Sequence, residues 1–106
     1  MKLASAAFLL AGLAAGCAAV NNPALEQAHD VYREARQDPL IVQNAGATLD
    51  RAARTLDAAD RLWAEKHDVA EVEHLAYIAV QRVKIARTVA QRRVAEDEIQ
   101  PPSGHP

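Results

Sequence analysis

Residues 68–99 read DVAEVEHLAYIAVQRVKIARTVAQRRVAEDEI, and this stretch decides the fold. Val72, Ala76, Ala79, Val83, Ala86 and Ala90 recur at alternating spacings of four and three. On an α-helix those positions share one side, and the alternation is that of a coiled-coil seam. Leu75, Ile78, Ile85 and Val89 are expected to widen the stripe. Asp68 and Glu71 form a capping box: the Asp accepts from a free backbone N–H, and the Glu reaches back to the cap N–H. Pro101-Pro102 stops the helix. The stretch therefore predicts a helix over 69–99, about 45 Å long.

A second helix is expected over 47–66, after a weak break at Asn44-Ala45-Gly46. Leu49, Ala52, Ala53, Leu56, Ala59, Leu62 and Trp63 form its apolar stripe, with Asp50, Arg54, Asp57, Arg61 and Glu65 opposite. Only a short connection around His67 separates it from the long helix, and short connections give antiparallel neighbours. Further upstream, Asn22-Pro23 is an N-cap followed by proline at the first helical position. A first helix is expected over 23–37, with Leu25, Ala28, Val31, Tyr32 and Ala35 facing inward. Asp38-Pro39 ends it and caps a short turn through Leu40, Ile41 and Val42. The expected fold is all-α: an antiparallel helical hairpin with a third, N-terminal helix packed across it, a three-helix bundle with a coiled-coil-like seam. The long helix outruns its partners, so its far end is expected to be exposed or to pair with another copy.

The start of the chain has a different character. Lys2 supplies one positive charge, and Leu3 to Ala15 follows without any charge. The run closes on Ala14-Ala15-Gly16-Cys17. A charged start, a short apolar run and a small-residue cleavage site make an export signal. It is shorter than the about 20 apolar residues a membrane span needs. A site ending in cysteine looks like the bacterial lipobox, in which the thiol takes a diacylglycerol, the signal is cut before it and the new amine is acylated. Ala14 stands where the usual lipobox has a large aliphatic residue, and Leu13 lies one place further back. Residues 1–16 are thus expected to be a lipoprotein signal peptide, 17–22 a lipidated Cys17 with a linker, 23–99 the helical domain, and 100–106 a disordered tail. Ordinary secretion with an incidental cysteine, or an uncleaved anchor, are the alternatives.

Residues 17–106 carry 11 Lys and Arg against 14 Asp and Glu, which argues against nucleic-acid binding. Alanine is their commonest apolar residue, and the aromatics are Tyr32, Trp63 and Tyr77. Small domains with little large apolar surface are marginal. Cys17 is the sole cysteine, so no intramolecular disulfide can help. Stability is expected from helix propensity, close contact through alanine, or a partner.

Candidate chemistry is sparse. His67, Glu71 and His74 are spaced four and three, as metal ligands on a helix face are, but the cap at Asp68 puts His67 in the turn. Surface or capping histidines are expected here, and His29 and His105 are isolated. Trp63 and Tyr77 are expected to cover the core near the hairpin turn. No Ser–His–Asp set, paired catalytic carboxylates or Gly-rich phosphate loop can be assembled, so catalysis is not expected. Arg82, Lys84, Arg87, Arg92 and Arg93 form one basic run, with no acid between His74 and Ala95. Its plain reading is a solvated face, with or without pairing to acids of the second helix. Its functional reading is a docking patch for an anionic envelope component: peptidoglycan carboxylates, lipopolysaccharide phosphates or an acidic protein. If the helices run away from the anchor, back and away again, that patch lies tens of Å from the membrane.

The stretch from Asp68 to Arg82 resembles a bacterial envelope family known as domain of unknown function 4398 (DUF4398). The matching core is His74-Leu75-Ala76-Tyr77, followed by Gln81-Arg82 and Ile85-Ala86. Ala24 to Pro39 is similar to that family's first helix and Leu49 to Trp63 to its second, so the resemblance covers about residues 24–98. It implies an exported, often lipid-anchored helical protein with no known activity. Many members precede an OmpA-like peptidoglycan-binding domain; no stretch here resembles one, so peptidoglycan binding is not carried over. The resemblance adds His74, Tyr77 and Arg82 to the candidate partner-binding residues, beside Lys84, Arg87, Arg92 and Arg93. His74 and Tyr77 have a second reading, as residues packed where the helices meet.

The resulting expectation is a non-enzymatic outer-membrane lipoprotein facing the periplasm, a structural or adaptor module with no cofactor beyond covalent acyl chains on Cys17. Ala18 after the cysteine, rather than an acid, is consistent with outer-membrane sorting by resemblance to better-studied lipoproteins. Its expected partners are the membrane and an envelope protein or peptidoglycan, with homo-oligomerisation open. Two rivals stand beside it. One is a protein binding a small ligand or metal near His74, Tyr77 and Trp63. The other is an oligomeric coiled-coil scaffold.

Overall fold

The computed structural model describes residues 21–99. Four helices account for nearly all of them: α1 (Pro23–Arg36), α2 (Pro39–Asn44), α3 (Gly46–Lys66) and α4 (Val69–Ile99). There is no strand among the described residues, and the fold is all-α. The expected signal segment, Cys17 and the expected tail over 100–106 lie outside the described residues.

Local chemistry sets each boundary. Asn22 is 4% exposed, and its side chain accepts from the Leu25 N–H at 3.0 Å. With Pro23 at the first helical position, that cap is worth about 1 kcal/mol. Asp38 caps α2 in the same way, accepting from the Leu40 N–H at 2.9 Å. At the hairpin turn His67 takes the left-handed conformation, φ 52°, and its N–H donates to the Trp63 carbonyl. Asp68 then accepts from the Glu71 N–H at 3.2 Å and opens α4.

The expected bundle gains a fourth member. The stretch foreseen as a turn through Leu40–Val42 is the six-residue helix α2, with Ile41 1% exposed. Ala45 separates it from α3 at φ −142°, ψ 33°. The hydrogen bonding barely breaks there, because the Ala45 N–H donates to Ile41 and its carbonyl accepts from Leu49. Glycine is not what makes the break: Gly46 has no positive φ, and a Cβ there would meet nothing within 4 Å.

Two hydrogen bonds fix the direction of the hairpin. Arg82 donates to the Thr55 hydroxyl and Arg93 to the Asn44 carbonyl. Moving forward along α4 moves backward along the preceding segment, so α3 and α4 are antiparallel. On α1, Leu25 and Ala28 share a core cluster with Leu56, Ala59, Val72 and Ala76 beside the turn. Ala35 joins Ile41, Ala45, Leu49, Ala86 and Ala90 at the open end. Hence α1 runs parallel to α4, and the chain enters the domain beside the hairpin turn. The far end of α4 is less bare than its length implies, because α2 lies against it through Ile41.

Alanine does most of the closing. Nine of the fifteen buried apolar residues are alanine, and the largest fully buried side chains are Ile41, Leu49, Val72 and Val83. Ala45, Ala52 and Ala59 are seven apart, as are Ala76, Val83 and Ala90 on α4. A small residue at each heptad step lets two antiparallel helices approach to the short end of the usual 8–10 Å. The fold thus substitutes close backbone approach for bulky side chains.

Candidate functional site

Helix α4 carries every candidate residue within the described part of the chain. Its inward side is Val72, Ala76, Ala79, Val83, Ala86 and Ala90, all buried. The expectation that Ile78 and Ile85 widen this stripe is corrected: Ile78 is half-buried and Ile85 is 53% exposed. They turn away from the seam and lie on the outward side.

His74 is exposed and Tyr77 is 62% exposed, so neither packs where the helices meet. Tyr77 instead lines a groove of about 280 Å³ between α1 and α4, with Ala24, Gln27, Glu73, Val80, Gln81 and Lys84. Trp63 does cover the core by the turn, and its ring meets His67 edge-on at 4.6 Å between centroids. Neither Trp63 nor His74 lines the Tyr77 groove, and its floor is shut by Ala76 at 1% exposure. His67 sits in the turn, off the helix that carries Glu71 and His74. Among the described residues no three His, Cys, Asp or Glu side chains converge on a common point.

The basic run is a largely solvated face, with Arg82, Lys84, Arg92 and Arg93 exposed, and it lacks the pairing with acids of α3. Ion pairs among the described residues are His29–Asp60 at 2.7 Å, Arg33–Asp30 at 2.9 Å and Arg61–Asp57 at 2.7 Å. None involves Arg82, Lys84, Arg87, Arg92 or Arg93, so the acids of α3 do not neutralise the run. Two of the five guanidinium and ammonium groups are held by neutral acceptors instead. Arg82 donates to the Thr55 hydroxyl at 2.7 Å, and that hydroxyl donates on to the Arg51 carbonyl at 3.1 Å. Thr55 is 8% exposed, and these two bonds satisfy it. Arg93 donates to the Asn44 carbonyl. A neutral acceptor positions a guanidinium without cancelling its charge, and each Arg keeps further N–H groups to donate. Arg87 is half-buried and lines a groove of about 330 Å³ under α2, with Asp38, Leu40, Val94 and Glu98. Lys84 and Arg92 are exposed.

Two contributors escape sequence reasoning. Thr55 is polar and so escapes an apolar count, although its place three residues after Ala52 and four before Ala59 sets it on the buried face. His29, isolated in sequence, bonds Asp60 across 31 residues and ties α1 to α3. Neither pairing has a local signal.

No helix among the described residues is long and apolar enough to cross a membrane. No curated protein and no solved structure matches the chain. One family model does, over residues 23–101, which takes in all four helices: the chain belongs to the family described as Domain of unknown function (DUF4398).

Proposed function

We propose that this protein is a lipid-anchored component of the bacterial envelope. Its helical domain is a non-enzymatic structural or adaptor module that docks a partner on α4. Cys17 carries the acyl chains, and the domain faces the periplasm from the outer membrane. The reading is supported above all by the basic run of α4, where five cations within 82–93 have no carboxylate partner among the described residues. Charge left uncompensated on a folded surface is available to a partner. Several acyl chains on one cysteine hold a protein to a bilayer far more securely than one. From Cys17 to the buried Asn22 cap the chain can span at most about 18 Å, so the domain stays close to its anchor.

Intact mass of the membrane-extracted protein tests the anchor. The mature chain is expected to begin at Cys17 and to carry added acyl mass, which a Cys17→Ser copy loses along with membrane retention. An unmodified Cys17 in the soluble fraction would overturn it. Docking is tested in intact cells with a photo-crosslinking residue in place of Lys84. It is expected to form an adduct, whereas the same residue at exposed Asp57 on α3 should form none. Equal labelling at both positions would deny α4 a special role.

A further inference from the structure

We infer that the outward side of α4 is a self-association surface on which a second copy of this chain docks antiparallel. The inference rests on the reading of α4 as a docking helix and names its occupant.

Outside the inward seam α4 carries a second heptad-spaced series, part apolar and part polar. Ile78, Ile85, Arg92 and Ile99 recur every seven residues, and Gln81, Thr88 and Ala95 fall between them at the other seam position. Arg92 interrupts the isoleucines and Gln81 and Thr88 make the other position largely polar, so such a seam would be weak and its pairing set by the flanking charges. Beyond its start the series faces solvent: Ile85 is 53% exposed and Ile99 80%, and Thr88, Arg92 and Ala95 are exposed, while Ile78 and Gln81 are half-buried. Gln81, Lys84, Ile85, Thr88, Val89 and Arg92 line one groove along it. Within the fold α1, α2 and α3 all pack on the inward side of α4, and Ile85 and Ile99 on the outward side are left exposed.

Charge chooses the occupant and its direction. Cations fill 82–93, and acids follow at once in Glu96, Asp97 and Glu98. A parallel copy would set each cation against its own equivalent. An antiparallel copy centred near Ala90 sets the two blocks against each other. In that register Lys84 faces Glu98 of the second copy, Arg82 faces its Glu96, and symmetry repeats both pairs. The same register sets Ile85 against Ala95, Thr88 against Arg92, and Gln81 against Ile99. Sequences flanking a coiled-coil seam set orientation through such pairs. A helix pair of this length buries on the order of 1,000 Å², the low end for a specific interface. Confinement of both copies to one leaflet raises their effective concentration and favours so small a contact. The two chain entries then lie at opposite ends of the pair, so the dimer lies along the leaflet.

Engineered cysteines in the full chain, expressed in cells, test this. Ile85→Cys and Ala95→Cys are made separately and co-expressed. In the proposed register, residue 85 lies about 15 Å along the axis from its own equivalent, and so does residue 95. A disulfide-linked dimer is expected on a non-reducing gel only when both variants are present together. Lys84→Glu should weaken that band roughly tenfold, two cross-pairs being lost, and Glu98→Lys in the same chain should restore it. Dimers from either single variant would show a parallel pair and overturn the proposal. Absence of any dimer overturns it as well. In that case, a heterologous adduct at Lys84 would leave the docking helix standing with another partner, and no adduct would remove both readings.

Discussion

Replacing Ile41 by alanine is expected to destabilise the domain by roughly 2–5 kcal/mol, lowering Tm by at least about 10 °C. Ile41 is 1% exposed and is one of four large side chains that are fully buried. It joins α2 to Ala35 of α1, Ala45 and Leu49 beside α3, and Ala86 and Ala90 of α4. Few other large residues share the load, so the surroundings cannot collapse into the space its side chain leaves. Leu40, next in the chain and 53% exposed, provides the control: Leu40→Ala is expected to change stability by less than about 0.5 kcal/mol. Thermal melts followed by circular dichroism on the two variants check this. Equal losses would mean that α2 lies off the core.

That contrast between neighbours also shows where the sequence is informative. The inward seam of α4 is legible residue by residue, because six positions over 72–90 sample the helical period several times. The six-residue run Pro39–Asn44 samples it less than twice, so helix and turn look alike, and the burial of Ile41 is decided by what lies above it. Ile78 and Ile85 sit at the margin of the predicted stripe, and periodicity alone adds them to the nearer face. Each precedes a buried alanine, Ala79 or Ala86, by one residue, which sets it about 100° round the helix from the seam. Tyr77 is misplaced for the same reason. The basic run is legible as a run, but its lack of carboxylate partners is not. That depends on Arg82 reaching Thr55 and Arg93 reaching Asn44, contacts set by the antiparallel register.

Ala79→Leu is expected to cost about 1–3 kcal/mol, although leucine is nearly as good a helix former as alanine. Ala79 is 1% exposed and lies among Leu25, Ala28, Leu56, Ala59 and Ala76. Three added carbons at that point must push α1 or α3 away from α4, and the displacement is shared along the helix because the seam is closed above and below. The same change at exposed Ala64 of α3 should alter stability by less than about 0.5 kcal/mol. Ala79→Gly, which cannot overpack, should still cost about 1 kcal/mol through helix propensity. Thermal melts of the three variants beside the parent chain check these values. The two substitutions at Ala79 carry a functional consequence. A loss on Ala79→Leu beyond the propensity cost seen at Ala79→Gly means that the bundle interior beside Ala79 is filled, leaving no room for a ligand there, and points function to the outer surface. An Ala79→Leu variant as stable as the parent would mean that space exists beside Ala76 and Tyr77. That outcome would move the search for function from the outward side of α4 to the groove between α1 and α4.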